Sequence, residues 1–367
     1  MQKLRSTSFL IGLCGFVLLF ISAHVQSEVE KATVVSQGKS EYKLISTTRT
    51  SYFESDLNAA AKQGYRLEKL AKGGISSGIA GLVVRSNNSS AVRCEYKLLV
   101  ETSRYSTFMK EVEEAVSQGF IFRGLTVDTN SNGLTPFSFP EVGALMERRL
   151  GETRRRFEYK ILTGANVKTK QQELNAAITE GFYPIDMLWG LIVLGRNLEN
   201  PGAGNGTREY RYLATTKIST MEKEMNKLAE EGFQFHLGSN GSKTIMSRLV
   251  TNKSRMFEYK IFWTPMTVFM KKEMLETAQQ GYIYLPTPGA MDGMNAVMER
   301  PLSAESGNRQ YEYKFLATSK EKTMQKELNE ALDAGYQFLD LATLGEKLIV
   351  LGRNLETGTK PVKQNVE

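Results

Sequence analysis

One alternation of apolar and polar positions returns six times along the chain. It is clearest over residues 311–356, where a segment of alternating apolar residues precedes a stretch with apolar residues at helical spacing and two more short apolar segments. Period-two alternation predicts strands, and apolar residues three and four apart predict a helix. Each unit is therefore predicted to fold as strand, helix, strand, strand, and self-similarity at this period is typical of repeat proteins.

The first predicted strand of each unit carries Glu-Tyr followed by Lys or Arg. Successive side chains on a strand point to opposite faces, so Tyr42 and Leu44 share one face while Glu41, Lys43 and Ile45 share the other. Apolar residues recur at the Ile45 position, which indicates that both faces are covered. We expect the tyrosine of each unit to have a structural role, and the six are Tyr42, Tyr96, Tyr159, Tyr210, Tyr259 and Tyr313.

The helical segment of each unit ends at a glycine that is followed by an aromatic residue. Leu or Met recurs at helical spacing before it, as in ELNEALDAGY of the last unit. A helix commonly ends on a residue in the left-handed conformation, which glycine adopts at no steric cost. The glycines predicted to end the helices are Gly64, Gly119, Gly181, Gly232, Gly281 and Gly335. We expect the aromatic residue to begin the second strand and to pack beneath the helix.

The third predicted strand is the most apolar and ends at an arginine in every unit. Apolar residues at both parities, as in KLIVLGR at 347–353, indicate a central strand. If it lies between the other two, the strands run antiparallel in the order 1-3-2 with the helix on one face. The arginine then lies across from the glutamate of the first strand, and a structural ion pair explains it better than catalysis does. The six arginines are Arg85, Arg148, Arg196, Arg248, Arg300 and Arg353.

The six units also form two matching groups of three. Unit two shares FMK and MER with unit five, and unit three shares LGRNLE with unit six, so we interpret the chain as a doubled triplet. The predicted fold is α+β: six tandem βαββ repeats, antiparallel three-stranded sheets each with one covering helix, arranged as two three-repeat lobes. The predicted segments are an N-terminal linker (28–39), lobe one at 40–198 (repeats 40–93, 94–156 and 157–198), a Pro- and Gly-rich linker (199–208), lobe two at 209–356 (repeats 209–256, 257–310 and 311–356) and a C-terminal tail (357–367).

Residues 1–27 have the composition of a secretory signal peptide, with Lys3 and Arg5 before an apolar run and Ser27 before the predicted cleavage site. Loss of this segment lowers the formal net charge from +7 to +5 and leaves Cys94 as the single cysteine, which excludes an intramolecular disulfide. We therefore expect an exported protein, periplasmic or secreted. The alternative is an uncleaved anchor, because the apolar run is nearly long enough to span a bilayer, and a membrane is an expected partner only in that case.

The connection between the second and third strands differs most among the units and is longest in unit two, at 126–143. Variable loops on a repeated scaffold are where binding is usually displayed. A nucleic-acid partner is not expected, because no run of Lys and Arg forms a basic stripe. The expected partner is an unknown protein or envelope component.

The long connection of unit two contains the candidate metal site. Asp128, Asn130 and Asn132 place oxygen ligands at alternate positions before Gly133, as at the start of a calcium loop. The twelfth position, where such a loop has a glutamate, is Phe139, so a plain Asn/Gly turn is the competing interpretation. Apart from Ca²⁺, no cofactor is predicted.

The sequence supplies little for catalysis, and no catalytic residue is predicted. His236 is the single histidine after residue 27, which excludes His-cluster metal sites and a Ser-His-Asp triad in every unit. It lies on the predicted second strand of unit four, where a satisfied, partly buried histidine is a simpler interpretation than a general base. Neither a Walker A loop nor a G-x-G-x-x-G after a strand is present.

The units resemble a small bacterial domain family of unknown function, whose members open on a Tyr-Lys strand, continue through a Leu-Asn helix and turn at Gly-Trp-Glu. Unit one carries the resemblance in Tyr42-Lys43, Leu57-Asn58 and Gly64-Tyr65, and it extends over all six units. Tyr or Phe stands where the family has Trp, and units two and five lack the Leu-Asn pair. The resemblance implies the βαββ fold and adds no site, since the family has no activity to carry over.

These observations predict an exported, non-enzymatic repeat protein that binds a partner, or builds a structural surface, through its variable loops. One alternative is an enzyme or small-ligand-binding protein with a single site at the junction of two repeats. That alternative requires a deep pocket containing His236 or a cluster of carboxylates. The other alternative is a membrane-anchored envelope protein with an uncleaved N-terminal helix.

Overall fold

The computed structural model describes residues 40–47, 49–72, 78–86, 93–100, 105–128, 141–152, 156–200, 207–239, 242–264, 267–286, 291–292, 295–302, 311–318, 320–343 and 347–355. Two compact units are distinguished along the chain, Met1–Gly38 and Lys39–Glu367, and all described residues belong to the second. The predicted signal peptide lies outside the described residues. Within the described ranges, no helix is both long and apolar enough to cross a membrane.

Each repeat contains a strand, a helix and a hairpin of two strands. Repeat one is formed by β1 (Glu41–Thr47), α1 (Thr50–Lys62), β2 (Arg66–Leu70) and β3 (Ile79–Arg85). Repeat two is formed by β4 (Cys94–Val100), α2 (Tyr105–Ser117), β5 (Ile121–Asp128) and β6 (Glu141–Arg149). Repeat three is formed by β7 (Phe157–Leu162), α3 (Val167–Thr179), β8 (Tyr183–Leu188) and β9 (Leu191–Asn197).

The second half of the chain repeats this order of elements. Repeat four is formed by β10 (Arg208–Ala214), α4 (Ile218–Glu230), β11 (Gln234–Ser239) and β12 (Lys243–Leu249). Repeat five is formed by β13 (Phe257–Trp263), α5 (Thr267–Ala278), β14 (Ile283–Tyr284), a short β15 (Met291–Asp292) and β16 (Asn295–Pro301). Repeat six is formed by β17 (Tyr311–Ala317), α6 (Glu321–Asp333), β18 (Gln337–Thr343) and β19 (Lys347–Asn354).

Every sheet places the third strand of the repeat between the first and the second, as in β1-β3-β2, and both pairings are antiparallel. In repeat five, β15 also pairs with β16. The central position explains the apolar sequence of the third strand, because residues 348–351 of β19 are all 0% exposed. The predicted α+β fold of six βαββ repeats and the predicted strand order are confirmed.

The recurring glycine, aromatic residue, arginine and glutamate form one structural cluster in each repeat. In repeat one Gly64 ends α1 with φ of 87°, and Arg85 pairs with Glu41 across the ladder at 2.5 Å. The Arg85 guanidinium also donates to the carbonyl of Gln63 at the helix end and lies 4.7 Å from the ring centroid of Tyr65. The other five ion pairs are Arg148–Glu95, Arg196–Glu158, Arg248–Glu209, Arg300–Glu258 and Arg353–Glu312. The other closing glycines, Gly119, Gly181, Gly232, Gly281 and Gly335, have φ between 84° and 90°.

In repeats two, three, five and six, the recurring tyrosine of the first strand hydrogen-bonds the second strand of the preceding repeat. Tyr96 of repeat two is 2% exposed, and its hydroxyl accepts a hydrogen bond from the Leu67 N–H in β2 at 2.8 Å. The Tyr159, Tyr259 and Tyr313 hydroxyls accept the equivalent bond from the N–H groups of Phe122, Phe235 and Tyr284, respectively. These four tyrosines therefore have a structural role between repeats, in addition to their place in their own sheets.

The six repeats close into a ring. Each helix packs over the first strand of the next repeat, from α1 over β4 to α5 over β17, and α6 packs over β1. The second strands contact each other in the same cyclic order, with β15 taking part in repeat five, and β18 contacts β2. A shared core cluster joins Leu44 and Leu82 of repeat one to Leu328 and Leu351 of repeat six. The first and last repeats are therefore neighbours.

The predicted boundary between lobes, at 199–208, falls at a junction built in the same way. There α3 packs over β10, and a core cluster joins Leu174 and Phe182 of repeat three to Tyr210 and Ile245 of repeat four. Lys39–Glu367 forms one compact unit. The division into two three-repeat lobes stays a prediction from the sequence.

Amide side chains on the helices hydrogen-bond the edge of the next repeat's first strand. Asn58 of α1 donates to the Tyr96 carbonyl at 2.8 Å and accepts from the Tyr96 N–H at 2.9 Å, and Asn226 of α4 makes the same pair of bonds with Tyr259. We call such a pair of hydrogen bonds an amide clamp. Gln171 of α3 forms a clamp with the Tyr210 carbonyl and the Tyr212 N–H, and Gln325 of α6 forms one with the Tyr42 carbonyl and the Leu44 N–H. An uncovered strand edge invites pairing with other chains, and these helices cover it. Repeats one and four share one clamp and repeats three and six the other, which matches the doubled triplet.

Candidate functional site

A cavity of about 270 Å³ lies where the second strands converge at the middle of the ring. Its walls come from five of the six repeats, through residues at or just beyond β2, β5, β8 and β18 together with Pro286 and Met291. A β-bulge interrupts the second strand of repeats one, two, three and six, all of which contribute to its lining. Bulges re-aim side chains and are frequent next to functional sites.

The residues that the copies place at this central position differ in charge. The residues five places after the closing glycine are Lys69, Gly124, Asp186, Leu237, Pro286 and Asp340. The tyrosine, glycine and arginine positions, by contrast, are the same in every copy and serve the scaffold. A scaffold does not require such variation of charge, so the variation marks the middle of the ring as the candidate functional site.

Two of these residues are buried aspartates in equivalent repeats. Asp186 is 4% exposed and accepts the N–H groups of Leu125 and Met187, each at 2.7 Å. Asp340 is 1% exposed and accepts the Tyr284 hydroxyl at 2.5 Å. Burial and the charge of Asp340 raise the pKa of Tyr284, so its hydroxyl stays protonated and remains a donor. Repeats three and six therefore present the same hydrogen-bonded carboxylate.

Repeat one supplies a lysine to each of these aspartates. Lys69 Nζ lies 2.8 Å from Asp340 Oδ1, and Lys72 Nζ lies 2.7 Å from Asp186 Oδ1. Lys72, with its side chain 10% exposed, also donates to the Met187 carbonyl at 2.6 Å. An ammonium group has three N–H donors. Beyond these contacts among the described residues, each lysine keeps at least one donor.

A third cation, Arg123, lines the same cavity from repeat two. Its Nε lies 3.4 Å from Glu147 Oε2, and its Nη2 donates to the Leu67 carbonyl at 3.1 Å. Glu147 is fully buried, lies 3.7 Å from Arg149 and accepts the Tyr96 hydroxyl at 3.1 Å. Burial and the charge of Glu147 raise the pKa of Tyr96. Arg123 is thus held in place by a buried carboxylate and a carbonyl.

Repeat five has a glutamate at the position of Glu147 but lacks both arginines. Leu285 and Pro301 stand where repeat two has Arg123 and Arg149. Burial raises the pKa of this glutamate, Glu299, to about 7, although the Tyr259 hydroxyl donates to it and opposes the shift. Glu299 therefore exchanges a proton near neutral pH.

A second pocket, of about 380 Å³, lies at the junction of repeats three and four and contains His236. The imidazole Nε2 lies 3.0 Å from the Pro184 carbonyl, and the ring meets Tyr210 edge-on at 5.2 Å. Burial lowers the pKa of His236, so the ring is neutral at neutral pH. Arg208 and Ser247, which also line the pocket, hydrogen-bond each other at 3.1 Å. These are the contacts of a packed histidine, and the described lining of this pocket includes no carboxylate.

The candidate calcium ligands lie at the edge of the described residues. Asp128 is the last residue of β5, whereas Asn130 and Asn132 lie outside the described residues, so the calcium site stays a prediction. No group of three or more His, Cys, Asp or Glu side chains within the described ranges is placed to hold a metal ion. Cys94 is buried, and burial raises the pKa of its thiol.

The charged residues of the central cavity were not singled out by the sequence patterns. Those patterns emphasise what the copies share, whereas the cavity is built from what they do not share. Aligning the six copies on the closing glycine would have shown Lys69, Asp186 and Asp340 at one position. The Met-Glu-Arg segment common to repeats two and five likewise contains Glu147 and Glu299.

The cavity thus combines N–H donors from three cations with walls that include Leu67, Leu125 and Met291. Of the two carboxylates in its described lining, Asp186 is already hydrogen-bonded and Glu68 is exposed. Such a site is suited to binding, and its described lining holds no paired nucleophile and base. No protein-family model matches the chain, and no curated protein is significantly similar to it. The resemblance to the small bacterial βαββ family therefore stays a prediction.

Proposed function

We propose that this is an exported, non-enzymatic repeat protein that binds a protein or another envelope component. The binding surface is formed by the hairpin connections, the segments that join the second and third strands. Export rests on the sequence of residues 1–27. Binding rests on where the hairpin connections begin in the ring.

The observation that carries this proposal is that hairpin connections of different repeats begin side by side. The Thr343 hydroxyl, at the end of β18, donates to the Lys72 carbonyl just after β2 at 3.1 Å. The Trp189 N–H, just after β8, donates to Ser239 Oγ at the end of β11 at 2.8 Å. Four hairpin connections therefore start at the same end of the ring, close to its middle. A compound surface made from several loops on a rigid scaffold is a common binding arrangement.

The hairpin connections lie at the opposite end of each sheet from the links between repeats. In repeat one Glu41 faces Arg85, at the end where the chain enters and leaves the repeat, whereas Leu70 faces Gly81 at the other end. The connections also differ in length, because residues 129–140 join the strands of repeat two and residues 189–190 join those of repeat three. Changes at one end of the ring can therefore be compared with changes at the other.

The test is to shorten the hairpin connection of repeat two. Trp189 and Gly190 have φ of 50° and 92°, the positive values of a type I′ turn, so Asn-Gly is a suitable two-residue replacement for 129–140. We expect this variant to keep its unfolding temperature within a few degrees and to lose its partners in a pull-down from the native envelope fraction, quantified by mass spectrometry. The control replaces 201–206, in the link between repeats three and four, with Gly and Ser at equal length and should keep those partners. Equal capture by both variants and the wild type would contradict the proposal.

A further inference from the structure

We propose that the central cavity binds a small amphipathic anion, with its acidic head group on Lys69, Lys72 and Arg123 and its apolar body against the leucine and methionine side chains of the wall. Lys72 and Pro286 belong to the hairpin connections of repeats one and five, but binding of this anion does not depend on the binding of a protein partner.

The polar groups of the cavity favour an anion over a cation. Asp186 and Asp340 already accept backbone, hydroxyl and ammonium donors, so their charges are hydrogen-bonded within the ring. The three cations, in contrast, have more N–H groups than their contacts among the described residues use. Lys69 and Arg123 are also the more accessible members of their ion pairs, with side chains 23% and 29% exposed against 1% for Asp340 and 0% for Glu147. The described lining thus carries three cations against two carboxylates, the buried Asp186 and the exposed Glu68, and it favours an anion by this excess of positive charge.

The remaining walls and the size of the cavity define the rest of the ligand. Leu67, Leu70, Leu125, Met291 and Leu341 line it together with the cations. An apolar cavity of about 150 Å³ takes a molecule the size of benzene. About 270 Å³ therefore suits roughly ten non-hydrogen atoms, such as an acidic group on a chain of seven or eight carbons.

A purely structural role explains these charges poorly. Filling the middle of the ring requires only apolar side chains, as Leu237 of repeat four shows at the position of Lys69. Buried ion pairs seldom stabilise a fold more than well-packed apolar residues of similar size, because both charges lose their hydration. The cations Lys69, Lys72 and Arg123 of repeats one and two, with Leu237 of repeat four at the position of Lys69, are better explained by a charged ligand.

The test compares three eight-carbon probes that differ only in the head group: octanoate, 1-octanol and octylammonium. Binding to the full-length protein is measured by isothermal titration calorimetry and by the shift of the thermal unfolding midpoint, with all probes below their micellar concentrations. We expect octanoate to bind at one site per chain and to raise the midpoint, octanol to bind at least tenfold more weakly, and octylammonium to give neither heat nor shift.

Two substitutions locate the binding. Arg123→Gln removes one cation, while Arg149 and Tyr96 still contact Glu147. This substitution should weaken the binding of octanoate at least tenfold and leave the binding of octanol unchanged. Gly124→Leu introduces the residue that repeat four carries at this position and should abolish binding of both probes. A Cβ at Gly124 would lie 3.4 Å from Leu70 Cδ2 and 3.6 Å from Asp186 Oδ2, which are ordinary contacts, and Gly124→Ala serves if the larger side chain impairs folding.

Lys326→Gln, on an exposed lysine of α6, is the control for general loss of positive charge and should leave octanoate binding unchanged. The variant with a shortened connection in repeat two should also bind octanoate normally, which separates this site from partner binding. Equal binding of octylammonium and octanoate, no binding of octanoate, or binding that survives both Arg123→Gln and Gly124→Leu would overturn the proposal.

Discussion

Glu147 and Glu299 occupy the same position in repeats two and five, and each accepts a hydrogen bond from the tyrosine of its own first strand. Glu147 also faces Arg123 and Arg149, whereas Leu285 and Pro301 occupy these positions in repeat five. One motif is therefore placed in two electrostatic environments within a single chain. The pair forms an internal comparison of one carboxylate position with and without positive neighbours.

The raised pKa of Glu299 predicts that the protein loses stability as the pH rises. The ordinary pKa of a glutamate carboxyl is 4.5, and that of Glu299 is about 7 in the folded protein. Between these values the folded state binds more protons than the unfolded chain, so the free energy of unfolding decreases across this window and stays lower above it. A neutral amide avoids this loss. We expect Glu299→Gln to raise the free energy of unfolding at pH 8 by roughly 1 to 3 kcal/mol and to change it little at pH 4.

Urea unfolding of the wild type and of the Glu299→Gln variant at pH 4 and pH 8 measures the effect. Glu147→Gln is the matched control. It should lower the free energy of unfolding, because Arg123 and Arg149 lose a buried partner of opposite charge. Breaking a buried pair costs on the order of 3 kcal/mol. A stabilising effect of both substitutions at pH 8, or of neither, would contradict this account.

At the scale of the helices and strands, the amide clamp accounts for how one repeat recognises the next. Asn58 satisfies both the N–H and the carbonyl of Tyr96 on the edge strand β4. We expect Asn58→Ala to lower the free energy of unfolding by about 1 to 3 kcal/mol, because two partly buried backbone groups lose their partners. Alanine favours the helix, so the loss does not come from α1 itself.

Repeat two provides the control for this substitution. Glu113 occupies the position of Asn58 on α2 and is exposed. We expect Glu113→Ala to change stability by less than about 0.5 kcal/mol. Thermal and urea unfolding of the two single variants, together with Asn226→Ala in the equivalent repeat four, compare the three sites. Similar losses of stability in all three variants would show that the amide clamp has no special role.

The elements of each repeat could be predicted because their causes are local. Gly64 ends a helix through its own backbone, and Arg85 meets Glu41 because the hairpin order brings the two strand ends together. The contacts between repeats could not be predicted in the same way. Asn58 and Tyr96 are 38 residues apart, and nothing in either segment indicates that the helix of one repeat covers the strand of the next. The angle between neighbouring repeats decides this contact.

The ring and its central cavity depend on all six of these angles together. Gln325 clamps Tyr42 across 283 residues, and Lys69 meets Asp340 only because the last repeat returns to the first. A row of repeats and a closed ring have the same local sequence signals, so the sequence predicts the βαββ unit without predicting closure. The charges around the cavity differ between copies and do not recur in every repeat, so they give no sixfold signal.

Closure and the doubled triplet together make a prediction about half of the molecule. In the full chain α6 clamps Tyr42 and Leu44 of β1 through Gln325, and α3 clamps Tyr210 and Tyr212 of β10 through Gln171. The two helices thus carry the same side chain for the same strand positions. A fragment of residues 40–200 begins with β1 and ends with repeat three, so α3 of one copy has the side chain needed to cover β1 of another.

We therefore expect residues 40–200 to form a homodimer that closes a six-repeat ring, because an open fragment would expose the core around Leu174 and Phe182. Size-exclusion chromatography with light scattering should give twice the fragment mass and an elution volume close to that of residues 40–355. Gln171→Ala removes the clamp from both new junctions and should weaken the dimer at least tenfold, whereas Gln172→Ala, at the exposed neighbouring position, should not. A folded, monomeric fragment, or a dimer indifferent to Gln171, would show that the ring is not closed by interchangeable junctions.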